Sequence, residues 1–180
     1  MLQNAPHFLH RDCRALYNYW NTIRYTEFMP SRRDLNPAKL VKFLPNVFIL
    51  NRNGEGSFTY RLAGTGIVEI FGKEATGKPF INPSNPNHDP RFNEVAEAVA
   101  SNPCCAVVSC RARMETMGSL DIEQVYLPLR SETDQINRCS MVIACIALLE
   151  ENPSRPSDRG KFLSMEVLDV EFLSISSAPV

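Results

Sequence analysis

The chain has no surplus of charge of either sign. Nineteen Lys and Arg stand against twenty Asp and Glu, a formal net charge of −1, so no global field draws it to nucleic acid or to an anionic membrane surface. It also lacks a long hydrophobic run. No stretch approaches the roughly 18 uncharged apolar residues of a membrane span, and the opening MLQNAPHFLHRD has no basic head followed by an apolar segment. These absences set the expectation of a soluble, cytoplasmic chain whose partners include neither nucleic acid nor membrane. Missing too are GxSxG, HExxH, a phosphate-binding Gly-rich loop and any paired His, Cys and Asp constellation, so an enzyme is not expected and no catalytic residue is assigned. Histidines number three, and His7 and His10 have no familiar ligand spacing, so no metal site is expected. The six cysteines, Cys13, Cys104, Cys105, Cys110, Cys139 and Cys145, form no CxxC pair. Most lie in apolar runs, where free Cys packs as a small hydrophobe in a reducing compartment.

What is present is material for one sizeable core: 180 residues, 44% of them hydrophobic. Phe8 to Arg24 reads as a helix, because Leu9, Leu16, Trp20 and Ile23 recur on one helical face. Asn36 before Pro37 is a helix start, with a side-chain oxygen to cap and a proline at the first position. Val47 to Leu50 and Phe58 to Ala63 read as two strands joined by a polar, Gly-containing loop. Asp89 and Pro90 open another helix, whose Phe92, Val95, Ala96 and Val99 share a face until Asn102 and Pro103 stop it.

Further on, Gly118 and Ser119 suit a two-residue hairpin turn. That turn would set Met117 opposite Leu120, Ala112 opposite Val125, Cys110 opposite Leu127 and Val108 opposite Leu129. Arg111 with Tyr126 and Arg113 with Gln124 would then share a mixed polar face, with a cation–aromatic contact available. Cys139 to Leu149 is apolar at both parities and reads as a central strand buried on both sides. Glu151 to Lys161 reads as a Pro, Ser and charged linker, and the apolar tail after it can add an edge strand or dock on a partner. The expected organisation is 1–35 as helix and lead-in, 36–150 as the main domain, and 151–180 as linker and tail.

One segment is more specific. In Phe58 to Phe80, FTYRLAGTGIVEIFGKEATGKPF, a strand passes through Gly64 and Gly66, read as allowing a sharp turn, into a short apolar helix broken by Gly72 and Gly77. With Tyr19-Trp20, Pro30-Ser-Arg-Arg-Asp34, Asn36-Pro37, Leu44-Pro45 and Arg61-Leu-Ala-Gly64 in that order, residues Ala15 to Glu150 resemble a PAS domain. The resemblance is to the single-domain subfamily found mainly in alphaproteobacteria.

The resemblance implies an α+β fold: a five-stranded antiparallel sheet with helices on one face and an N-terminal helix that caps the sheet or dimerises. Leu9, Leu16, Trp20 and Ile23 would form that helix's capping or dimer stripe, and a homodimer is expected. It also directs a ligand pocket to the space between sheet and helices, with Val68, Phe71, Phe80, Phe92, Val95, Val99, Cys110 and Met141 as walls. The same residues are what an ordinary core requires. The ligand stays unassigned. Adduct-forming flavin photosensors carry a Cys in an Asn-Cys-Arg-like helix, and no Cys lies between Cys13 and Cys104 here. His88 is the sole candidate for an axial haem nitrogen, but a histidine in an Asn/Pro loop is expected to face solvent, which argues against haem. Arg32 and Arg33, beside a helix start, can grip a phosphate or carboxylate of a nucleotide or acidic partner; the other reading is a solvated or intrachain-paired couple. Two functions remain open. One is a regulatory sensor that binds a small ligand and signals through a separate protein partner, since no output segment follows. The other is a ligand-free interaction and dimerisation module.

Overall fold

A computed structural model of the protein describes residues 7–24, 28–54, 56–82, 87–135, 138–149 and 156–175. Residues 151–155 of the expected linker, and Glu55 in the first hairpin loop, lie outside the described residues. The described residues form an antiparallel sheet in the order β2-β1-β5-β4-β3-β6. The strands are β1 (Val47–Gly54), β2 (Ser57–Ala63), β3 (Cys104–Met114), β4 (Gly118–Leu129), β5 (Met141–Leu148) and β6 (Phe162–Ser174). The fold is α+β, with six strands where the sequence suggested five. The sixth is the C-terminal tail, which takes the edge-strand option and pairs with the whole length of β3.

β5 is buried on both sides along nearly all its length, as its uninterrupted apolar run requires. Helix α1 (Arg11–Ile23) covers one face, lying across β4 and β5 of its own chain. Its stripe is Cys13, Leu16, Trp20 and Ile23. Leu9 is not part of it: the helix starts later than the periodicity suggested, capped by His10 Nδ1 accepting from the Asp12 N–H at 3.1 Å, and Leu9 is left 59% exposed while Phe8 is buried. The Trp20 indole N–H donates to the Pro128 carbonyl at 2.9 Å. The Glu123 carboxylate, 1% exposed, accepts from the Leu9 and His10 N–H groups at 2.7 and 3.0 Å and anchors the start of the helix.

After the short helix α2 (Pro37–Leu40), which precedes β1, the other face carries α3 (Thr65–Phe71), the irregular 72–82 segment and α4 (Arg91–Ser101). α4 begins where the Asp89-Pro90 pair indicated, with Asp89 Oδ1 accepting from the Arg91 N–H at 3.0 Å. Between β2 and α3, Gly64 has φ −68°, so glycine is not needed there for a turn. It is needed for a close approach: a Cβ at this position would collide with the carbonyl oxygens of Leu44 and Pro45. Gly72, with φ +70°, does end α3 in the left-handed conformation.

The β3–β4 register differs from the one read from the hairpin signal. Residues 115–117 make the turn and Gly118 opens β4, setting Ala112 opposite Leu120, Cys110 opposite Ile122 and Val108 opposite Gln124. The reason is tertiary. The Glu115 and Thr116 N–H groups donate to the carbonyls of Lys161 and Arg159, at 2.8 and 3.2 Å, so the segment entering β6 holds the turn. Arg111 consequently meets Asp121 at 2.8 Å rather than Tyr126, and Arg113 meets Ser119 rather than Gln124. A cation–aromatic contact does occur elsewhere, with the Arg24 guanidinium 5.2 Å from the Trp20 ring.

Candidate functional site: an aromatic cavity between sheet and helices

Side chains alternate along β4, so Glu123 points towards α1 while Gln124 and Tyr126 point to the opposite side. On that opposite side lies a cavity of about 440 Å³. Phe48 of β1, Tyr60 of β2 and Phe80 line it, packed ring against ring and, for Phe48 and Phe80, against Tyr126 behind them, with centroids 5.4 to 6.4 Å apart. Phe71 of α3 meets Phe162 of β6 edge to face at 4.8 Å, closing the wall between those elements. Phe92 of α4 and Ile146 of β5 complete the apolar lining, and Lys73, Lys78, His88 and Asp89 stand at its polar portion. Burial raises both the Tyr60 and Tyr126 phenols well above their ordinary value, so both stay protonated at neutral pH.

The polar centre of the cavity is Gln124, 3% exposed. Its Oε1 accepts from the Tyr126 hydroxyl at 2.6 Å. Among the described residues its Nε2 has only sulfur to donate to, Cys110 Sγ at 3.4 Å and Met165 Sδ at 3.3 Å, and both are weak acceptors. A buried amide held on one side and poorly matched on the other offers a donor to an oxygen or nitrogen entering the cavity. Cys110 is itself inert as a nucleophile here, because burial pushes its thiol up to about 12.

His88 is half-buried at the cavity rather than solvent-facing. Its Nδ1 accepts from the Asn82 N–H at 2.9 Å, and burial, with a smaller contribution from Lys73, lowers its pKa. Asp89 links the helix to the edge strand. One oxygen takes the Arg91 N–H, the other the Val167 N–H of β6 at 2.9 Å. Of the wall residues suggested by sequence, Phe71, Phe80 and Phe92 line the cavity. Val95, Val99 and Cys110 are buried in the core without lining it, and Val68 is half-buried outside it. Met141 lies apart, paired with Asn51 and Leu129 at the other parity of β5, and lines a second, polar cavity with Arg32. Arg33 is exposed and lines neither. Sequence reasoning missed Gln124 and Tyr126, because the hairpin register put them on an outer face.

A small-molecule-sized space between an antiparallel sheet and short helices is the setting in which the family comparison decides. The PAS domain family matches residues 8–143. The chain belongs to the PAS domain family. Among solved structures, the light state of the blue-light photoreceptor Aureochrome1 LOV matches with a TM-score of 0.40 and 16% identity, over 62% of this chain and 87% of that one. A comparison with curated proteins gives no match. This PAS domain has no helix among the described residues long and apolar enough to cross a membrane. Its family is one of sensory and signalling modules, which sets the frame for its activity.

Proposed function

We propose that this PAS domain is a ligand-responsive regulatory sensor that works in the cytoplasm and signals through a separate protein partner. The observation that carries the proposal is Gln124, a buried amide whose Nε2 donates only to sulfur among the described residues, at a cavity of about 440 Å³. That volume lies within the roughly 300–1,000 Å³ typical of small-molecule sites. The ligand class it supports is a flat, largely apolar or aromatic molecule with one hydrogen-bond acceptor facing Gln124.

The route to a partner runs through β6. Phe162 and Met165 line the cavity, while Leu163, Leu168 and Phe172 of the same strand are 48%, 47% and 51% exposed. A ligand that shifts the Phe71–Phe162 contact would alter how that apolar edge is presented. The stripe of α1 is occupied by its own sheet, so a homodimer would form through another surface, and β6 offers one.

Native and denaturing mass spectra of the purified chain test the reading. A stoichiometric small mass that leaves on denaturation, and whose occupancy falls in Gln124→Leu at unchanged secondary structure, supports the sensor. A chain that stays empty after expression and after exposure to a metabolite extract would favour the ligand-free interaction module.

A further inference from the structure

We propose that a second site, lined from the reverse side of β2, binds a phosphate or phosphomonoester group between Arg32 and Arg61. Tyr60 lines the aromatic cavity, and the next residue, Arg61, lines a polar cavity of about 470 Å³ where the turn carrying Arg32, strands β1 and β2, and residues 131–133 after β4 meet. Its donors include Arg32, Arg52, Arg61, Asn51, Asn53 and Thr133.

The three arginines are not equivalent. Arg52 is committed to α4, with its Nε donating to Glu97 Oε2 at 3.0 Å and its Nη2 to Glu97 Oε1 and to Ser101 Oγ, the last at 3.0 Å. Arg32 and Arg61 have no ion pair among the described residues. The Arg32 Nε is moreover buried without a hydrogen-bond partner among the described residues, a costly state for a charged donor.

Arg32 is held in this position by the backbone. Its N–H donates to the Arg130 carbonyl at 2.9 Å, the Arg130 N–H donates to the Pro30 carbonyl at 3.1 Å, and the Asp34 carboxylate takes the Ser31 N–H at 2.7 Å. The turn is therefore clamped to the end of β4 before any ligand arrives. Two guanidinium forks with amide and hydroxyl donors around them exceed what the two oxygens of a carboxylate can accept, and suit the three terminal oxygens of a phosphomonoester. Arg33, the sequence neighbour of Arg32, does not line this cavity, whereas Arg61 from β2 does.

Glu132 also lines this cavity and opposes an anion there, which supplies a test of sign. The full chain is titrated with inorganic phosphate and with phenyl phosphate at constant ionic strength, following backbone and arginine Nε–H resonances. The expected result is saturable one-to-one binding with shifts at Arg32 and Arg61. Arg61→Gln, at an exposed position that leaves the core intact, weakens it about tenfold, the loss of one charge-assisted hydrogen-bonding partner. Glu132→Gln tightens it, and Phe92→Leu leaves it unchanged. Equal binding of the two probes assigns the phosphate group alone, and tighter phenyl phosphate assigns a phosphomonoester. No saturable shift from either probe, insensitivity to Arg61→Gln and Glu132→Gln, or loss of binding in Phe92→Leu would overturn the proposal. The last outcome would move the ligand to the aromatic cavity.

Discussion

The two faces of the sheet are covered in different ways. Under α1, Cys13, Leu16 and Trp20 are fully buried against β4 and β5, and the polar atoms reported above, the Trp20 indole N–H and the Glu123 carboxylate, find partners. Under α3 and α4 aromatic rings share the lining with Gln124 and with Lys73, Lys78, His88 and Asp89, and a cavity of about 440 Å³ persists. A 13-residue helix can lay a continuous stripe on a sheet, whereas the seven-residue α3 and the irregular 72–82 segment cannot. The rings that meet there are rigid plates with few rotamers, so they stack around a space rather than collapse into it. Apolar volume left unfilled destabilises a fold, so the contrast separates a face packed closely against its helix from one whose covering elements leave space.

Removing one large ring from each face sharpens that contrast. Trp20→Ala is expected to cost about 4–5 kcal/mol in urea unfolding, since it empties a fully packed site and leaves the Pro128 carbonyl without its donor. Phe92→Ala is expected at about 3 kcal/mol, the low end for such truncations, because its ring already borders a cavity. A larger loss for Phe92→Ala than for Trp20→Ala would break the comparison. Gly64→Ala tests the junction where β2 enters α3. The added methyl must displace the backbone carbonyls of Leu44 and Pro45, for roughly 1–3 kcal/mol. A melting temperature equal to the parent's would count against that close approach.

The smallest effect belongs to Asp89, which joins α4 to β6 beside the cavity. Asp89→Ala is expected to cost about 1 kcal/mol at neutral pH, as for loss of a helix cap. Burial raises the Asp89 pKa, but hydrogen bonds from the Arg91 side chain, the Val167 N–H and the Arg91 N–H outweigh it, leaving the group below its ordinary 3.8. With the folded pKa depressed, the stabilisation is fully present above pH 3.8 and is lost as pH falls through the folded value. Stability curves of parent and variant should therefore run parallel near neutrality and converge in acid. A gap that widens in acid would refute this role.

Much of the scaffold was legible because it depends on local pattern. The start of α4 at Asp89-Pro90, the doubly buried β5, the Asn36 cap and the strand–helix order of residues 58–71 follow from capping chemistry and periodicity. Three cavity-lining rings, Phe71, Phe80 and Phe92, were reachable from the family resemblance. Leu9 was misplaced because periodicity cannot tell where a helix begins when His10 supplies the cap.

The sequence by itself determined the family, most of the elements and the apolar face of α4, since these rest on residue type and on spacings within one helix or strand. Only the tertiary structure decided the β3–β4 register, because the carbonyls of Arg159 and Lys161 hold the turn from more than forty residues away. That register puts Gln124 and Tyr126 inside. Tertiary structure also decided which parity of β5 faces the cavity, taking Ile146 and leaving Met141 out, and that Arg52 and Arg61, not Arg33, line the polar cavity with Arg32. Alternation along a strand says that neighbouring residues part ways, but the packing of other segments chooses the side.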